Sequence, residues 1–185
     1  MTDLNAFQEA QLLLLKGDLP TSIKAFTRSI ERGIEVFKSH INRGTAYVKV
    51  GKLDEALVDF NAAVALGEEP ERAFFSRGIA HLNKDNYQEA VNDFNEALRI
   101  KPERGVARLA RGLALTLLGH RVEAEQDLAK AYAMNDTEIG SFLEEYAISG
   151  TLCERTMALF QEEHGPWNLV LTNDEVIRMS ERESI

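Results

Sequence analysis

A single cysteine is all that the 185 residues carry. Cys153 alone cannot close an internal disulfide, which excludes a cystine-stapled secreted framework and fits a reducing compartment. Four prolines and twelve glycines are too few for a linker-rich or fibrous chain. Long apolar runs are missing as well. The run Leu12 to Leu15 is too short for the apolar core of a signal peptide or for a membrane span, and the leading MTDLNAFQEAQLLLLKGD has no basic leader. Positive charge is in deficit: 21 Lys and Arg stand against 30 Asp and Glu, a net charge of −9 with a pI near 5.0. A general nucleic-acid binder needs a basic face for phosphates, and an anionic membrane surface attracts the same sign, so both are disfavoured. At 44% hydrophobic residues the chain still has enough apolar surface to fold. These features predict a soluble, cytoplasmic protein with no membrane insertion.

Catalytic and metal-binding signatures are also lacking. No CxxC, HExxH or glycine-rich phosphate loop occurs. Cys153 has no base at the helical spacing of three or four, and the nearest histidine after it is His164, so the thiol lacks the close base that a nucleophile needs. His40, His81, His120 and His164 are scattered, and the pairs Glu68-Glu69, Glu144-Glu145 and Glu162-Glu163 read as solvated faces and helix ends. No convergent constellation forms. The sequence therefore predicts no enzyme, no cofactor and no metal.

What is present is a period. Arg-Gly occurs at 43, 77 and 111, at a constant interval. Other columns follow the same interval: Ala56, Ala90 and Ala124; Phe26, Phe60, Phe94 and Leu128; Ser29, Ala63, Ala97 and Ala131; Asp59, Asp93 and Asp127. Gly17, Gly51 and Gly119 mark a turn, with Asp85 and Asn86 supplying turn chemistry in the remaining copy. Four uninterrupted units result, 3–36, 37–70, 71–104 and 105–138. Each reads as two helices. FKSHINRGTAYVKV has apolar or small residues at helical spacing and stops at Gly51; LDEALVDFNAAVAL opens with acids where the helix dipole favours them. One such pair cannot bury its apolar stripe alone, so neighbours must stack.

The stretch AFFSRGIAHLNKDNYQEAVNDFNEALRIKP resembles a tetratricopeptide repeat, and residues 3–138 as a whole are similar to four in tandem. The family's small-residue columns match at Gly44, Gly78, Gly112 and the two alanine columns, and its aromatic column at Phe26, Phe60 and Phe94. Its proline matches only at Pro102, and its tryptophan column holds Ala6, His40, Phe74 and Arg108. The resemblance implies an all-α fold: a right-handed superhelical solenoid of antiparallel helix pairs over 1–138, with a C-terminal capping helix and acidic extension over 139–185.

Two expectations concern the paired helices. Glycine inside a helix costs about 1 kcal/mol against alanine and is tolerated where two backbones approach closely. Gly44 is therefore expected against Ala56 and Phe60, with the same contact around Gly78 and Gly112. Arg43, Arg77 and Arg111 precede Asp59, Asp93 and Asp127 by one unvarying interval, and the first unit lacks both partners, having Glu9 and Ala25 in their places. This co-occurrence predicts pairs within units, Arg43–Asp59, Arg77–Asp93 and Arg111–Asp127. Pairing each Asp to the next unit's Arg would leave Arg43 opposite Ala25 and Asp127 opposite Glu145.

The resemblance also implies a concave groove lined by the first helix of each pair, where the family binds peptides or partner helices. Its lining would include Phe7 and Gln11; Lys38, Ile41, Asn42, Thr45 and Lys49; Arg72, Phe75, Ser76, Ile79 and Asn83; and Leu109 and Leu113. Many of these are apolar, and an exposed apolar strip marks an interaction site. The cations Lys38, Lys49 and Arg72 would steer an acidic and apolar ligand. Some family members hold a chaperone's terminal carboxylate with a clamp of Lys, Asn, Asn, Lys and Arg. The matching positions here are Phe7, Gln11, Asn42, Arg72 and Ser76, so three of the five donors fail and a clamp is disfavoured. The leading expectation is a scaffold or adaptor for a peptide or helix of another protein. A chaperone-like binder of a client or secretion substrate is the alternative, and a self-assembling protein is the third.

Residues 139–185 differ in chemistry, with nine acidic and three basic side chains. DTEIGSFLEEYAISG reads as an extra helix from an N-cap at Asp136 or Thr137, and TLCERTMALFQEEHG as a further amphipathic helix. The stretch after Pro166 is expected to pack on its own solenoid, fill the groove, or join a second copy through Trp167 into a homo-oligomer.

Overall fold

In a computed structural model of the chain, residues 6–134 are described. The expected capping helix and extension at 139–185 lie outside them. The chain divides into two compact units, Met1–Glu103 and Arg104–Ile185. The first contains α1 (Ala6–Leu15), α2 (Leu19–Glu31), α3 (Val36–Lys49), α4 (Leu53–Leu66), α5 (Pro70–Asn83) and α6 (Tyr87–Ile100). The second contains α7 (Gly105–Leu117) and α8 (Arg121–Ala133). Among the described residues there is no strand.

Each odd-numbered helix ends in the same way. The N–H groups of Asp18, Lys52, Asn86 and His120 donate to the carbonyls of Leu13, Tyr47, His81 and Leu115, at 2.9–3.0 Å. One residue earlier, the N–H groups of Gly17, Gly51, Asp85 and Gly119 donate to Leu14, Val48, Leu82 and Thr116. This pair of bonds closes a helix only if the residue between turns left-handed. Residues 17, 51 and 119 do so as glycine, with φ of +77°, +74° and +79°. Asp85 takes the same turn at φ +61°, an arrangement that aspartate tolerates better than most side chains. The turn then feeds an antiparallel second helix.

The paired helices close through the glycine–aromatic contact. A Cβ on Gly44 would lie 2.6 Å from Phe60 Cε1, and one on Gly78 would lie 2.6 Å from Phe94 Cε1. In the second unit, a Cβ on Gly112 would lie 2.8 Å from Leu128 Cγ. Even a methyl group at these positions would collide with a buried side chain, which accounts for glycine mid-helix despite its poor propensity. Around this contact in the first unit, Phe37, Ile41, Ala56, Phe60, Ala63, Ala73 and Ala80 form one cluster. Ala73 and Ala80 belong to the following hairpin, so this cluster is also the stacking contact between repeats. Phe7, Ala10, Ala25 and Phe26 form a second cluster under α1. Buried hydroxyls find partners here: Ser39 Oγ donates to Ser29 Oγ at 3.0 Å, and Ser29 Oγ donates to the Ile34 carbonyl at 2.7 Å.

A candidate binding face and its supporting ion pairs

The arginines and aspartates of the repeat meet inside each hairpin. Arg43 Nε and Nη2 donate to Asp59 Oδ2 and Oδ1 at 2.9 and 2.7 Å, and Arg77 engages Asp93 in the same fork at 2.8 and 2.7 Å. In the second unit, Arg111 Nε and Nη2 hold both oxygens of Asp127. All three carboxylates are buried. The hydrogen bonds that Arg43 and Arg77 donate to Asp59 and Asp93 raise the two guanidinium pKa values above the ordinary range, against the opposing effect of burial.

The arginines reach further than one hairpin. Arg43 Nη1 donates to Thr27 Oγ1 at 2.7 Å, and Arg77 Nη1 donates to Asn61 Oδ1 at 2.9 Å. Thr27 and Asn61 lie on α2 and α4, in each case the second helix of the preceding pair. One guanidinium therefore ties three helices, α2–α3–α4 or α4–α5–α6. Sequence reasoning missed this column. The hydroxyl and amide differ in type, so composition hid a shared role, although Thr27 and Asn61 stand one full repeat apart. A further position varies by repeat. His40 Nδ1 lies 2.8 Å from Asp59 Oδ1, the Phe74 ring lies 5.6 Å under the Arg77 guanidinium, and Arg108 Nη1 lies 3.6 Å from Asp127 Oδ1. These are three different solutions for supporting one arginine–aspartate fork.

The face formed by α1, α3 and α5 departs from expectation. Phe7, Ile41, Phe75 and Ile79, expected on an open groove surface, are buried, as is Leu109 in the second unit. Ile41 and Ile79 are each 2% exposed. Ile41 belongs to the cluster around Phe60, Phe75 tilts against Phe94 with ring centroids 5.9 Å apart, and Phe7 packs on Phe26 at 6.1 Å. These side chains point between the paired helices, where burial of a large apolar group is worth roughly 1.5–3 kcal/mol. They form a floor and not a surface. Leu113 is half-buried on α7 of the second unit.

Above that floor the first unit carries polar side chains. Asn42, Thr45, Ser76 and Asn83 are half-buried, and Gln11, Lys38 and Lys49 reach solvent. Thr45 Oγ1 donates to the Ile41 carbonyl and Asn83 Nδ2 to the Ile79 carbonyl, both at 2.9 Å, so the local helix fixes both side chains. Arg72 Nη1 lies 3.4 Å from Glu69 Oε2, and Lys38 Nζ lies 2.8 Å from Glu35 Oε2. The Glu35 hydrogen bond raises the Lys38 pKa; Glu69 adds to the rise and Arg72 opposes it. Glu35 and Glu69 stand beside two of the three cations of this face. The face thus offers amides, hydroxyls and three cations on an apolar base. His81, on the same helix as Ser76 and Asn83, is half-buried and shares its column with Tyr47; burial holds its pKa below the ordinary histidine value, with Asp93 opposing.

Among the described residues, no helix is long and apolar enough to cross a membrane, and no group of three or more His, Cys, Asp or Glu side chains is placed to hold a metal ion.

Paired helices of 10 to 14 residues, a repeated left-handed turn and a clasp of glycine on a bulky apolar side chain define the all-α helix-pair solenoid class. Residues 41–105 match the model of the tetratricopeptide repeat family. Solved structures agree over longer stretches. A thermophilic protein of these repeats from Thermus thermophilus aligns with a TM-score of 0.66 at 22% identity, covering 98% of both chains. The MamA structure aligns at 0.64 with 16% identity, covering 95% of this chain and 96% of its own. The second such domain of human RPAP3, solved in complex with the HSP70 peptide SGPTIEEVD, aligns at 0.50 with 25% identity, covering 57% of this chain and 90% of its own. Comparison with curated protein sequences found no match.

Proposed function

We propose that the protein is a non-enzymatic adaptor that binds a segment of another protein on the α1–α3–α5 face of the first unit. The observation that carries this reading is the row of half-buried polar groups over a buried apolar floor: Asn42, Thr45, Ser76 and Asn83, of which Thr45 and Asn83 are held by their own helices, with Ile41, Phe75 and Ile79 beneath. Amides and hydroxyls held by their own helices can pair with the backbone of a bound segment without first being ordered, which lowers the entropic cost of binding. The three cations, two of them shared with Glu35 and Glu69, favour a segment bearing acidic groups. The peptide complex of the RPAP3 domain supports use of this fold in that way. A carboxylate clamp is disfavoured here, because the position of its first lysine holds the buried Phe7.

The test is selection from a displayed peptide library against the full chain, followed by affinity measurements on a Lys38→Glu, Lys49→Glu, Arg72→Glu variant. Enriched acidic sequences that bind the variant at least about tenfold more weakly are expected. Equal binding to both proteins would remove the proposal. Substituting Ile41 or Phe75 by Glu would instead place a charge in the core, so those positions report on folding and not on binding.

A further inference from the structure

The second helix of each pair has an outer side open to solvent, and α4 fills that side differently from its neighbours. At three successive outward positions α2 holds Lys24, Arg28 and Glu31, and α6 holds Asn92, Glu96 and Arg99. At the same register α4 holds Val58, Ala62 and Ala65, with Leu66 one residue on. This spacing sets the four side chains on one face of the helix. Val58 is 69% exposed, Leu66 and Ala65 are exposed, and Ala62 is half-buried. Single apolar side chains on a surface are ordinary. Four together, where the adjoining helices carry charge or amide, have the composition of an interaction strip.

The charges that border this strip differ from side to side. Arg43 bonds Thr27 on α2 and Asp59 on α4, and Arg77 bonds Asn61 on α4 and Asp93 on α6, so α2 and α6 flank α4. On the α6 side Glu96 is paired with Arg99 at 2.9 Å, and Glu89 stands about a turn before Asn92, level with Glu55. On α4 itself Asp54 bonds Lys84, Glu55 lies 3.9 Å from Lys52, and Asp59 is buried. On the α2 side Arg28 is held by Glu9 at 3.3 Å. The Asp59 hydrogen bond raises the Arg43 pKa most, and Glu31, the one acid within α2, adds to that rise. Lys24 and Arg32 are exposed and form no ion pair among the described residues. The strip is therefore edged by two unpaired cations on α2 alone. Lys24 is level with Val58 and Arg32 with Leu66, about 12 Å apart along the axis.

We propose that the α4 strip is a second docking surface, and that its occupant is an amphipathic helix of another protein. The apolar side of that helix lies on Val58, Ala62, Ala65 and Leu66, and its edge toward α2 carries acidic residues about two turns apart. Ala62 and Ala65 let the two helix backbones approach closely, while Val58 and Leu66 fill the spaces at either end. Carboxylates opposite Lys24 and Arg32 fix which way the helix faces. The chain's own net charge of −9 disfavours a second copy in that place, through mutual repulsion. The strip shares no residue with the α1–α3–α5 face, so the two proposals stand or fall separately.

Three synthetic peptides of about 18 residues, stapled to hold the helix, test this. They share one stripe of leucine and alanine and differ only at two edge positions two turns apart, which hold Glu, Gln or Lys. Fluorescence anisotropy at low salt measures their binding to the full chain. The Glu peptide is expected to bind at least about tenfold more tightly than the Lys peptide, with the Gln peptide between them. Val58→Gln with Ala65→Gln should weaken the Glu peptide by at least about tenfold. Lys24→Glu with Arg32→Glu should reverse the order and favour the Lys peptide, a change that loss of folding would not produce. The Lys38→Glu, Lys49→Glu, Arg72→Glu protein should bind the Glu peptide as the wild type does; loss of binding there overturns the proposal, since the peptide would sit on the other face. Equal affinity for the three peptides, no binding below about 1 mM, or an order unchanged by the charge exchange on α2 overturns it as well. So does a fall in the molar mass of the full chain by sedimentation on Val58→Gln with Ala65→Gln, since a second copy would then be the occupant.

Discussion

Replacing Arg77 by Met retains most of the aliphatic stem and removes the guanidinium. Asp93 then loses two donors at 2.8 and 2.7 Å while remaining 5% exposed, and Asn61 loses the bond at 2.9 Å that links it to the next hairpin. A buried carboxylate deprived of its partner costs about 3–5 kcal/mol. The Arg72–Glu69 pair is the internal control: its side chains are 39% and 44% exposed, and the loss of such a pair costs about 0–1 kcal/mol. Removing Asp93 as well, as Arg77→Met with Asp93→Leu, takes away the stranded charge and is expected to recover most of the loss. The coupling between the two sites should reach about 2 kcal/mol or more. Urea denaturation followed by circular dichroism measures all four corners of the cycle. For a chain of this size, a loss of about 3–5 kcal/mol corresponds to a melting temperature lower by roughly 6–20 °C. A single-site loss below about 1 kcal/mol with zero coupling would refute the reasoning, because it would mean that the carboxylate finds water or another donor when the arginine is gone.

Other substitutions probe separate links. Gly78→Ala improves helix propensity by about 1 kcal/mol yet sets a methyl 2.6 Å from Phe94 Cε1, so a net loss of about 1–2 kcal/mol is expected by thermal melting, with recovery when Phe94→Leu is added. Asp85→Gly should leave the fold unchanged and raise stability by roughly 0.5–1 kcal/mol in the same melts, since the φ of +61° costs a side chain and not a glycine. His81 has a folded pKa below its unfolded value, so the folded state binds fewer protons and protonation favours unfolding. Its contribution is fully present above about pH 6.5 and falls as the pH drops below that value. Melts on either side of that pH should show this loss, smaller in His81→Tyr, the residue found at the matching Tyr47. An unchanged pH dependence in that variant would remove the assignment.

By itself, the sequence determined the period, the pairing of helices and the small-residue contacts. Each of these requires a residue type at a fixed interval: a left-turning residue at 17, 51, 85 and 119, a residue without Cβ at 44, 78 and 112, and a bulky partner at 60, 94 and 128. The Arg43–Asp59 interval is equally visible, because both partners sit in one hairpin whose length never varies. Only the tertiary structure decided what covers a given helix face. Helical spacing places Ile41 and Asn42 next to one another on α3, but it does not say which neighbour closes over them; stacking of Ala73 and Ala80 from the following hairpin buries Ile41 and leaves Asn42 half-open. The same holds for Thr27 and Asn61. Their bonds to Arg43 and Arg77 run between hairpins, and the distance between hairpins is set by packed side chains and not by covalent spacing.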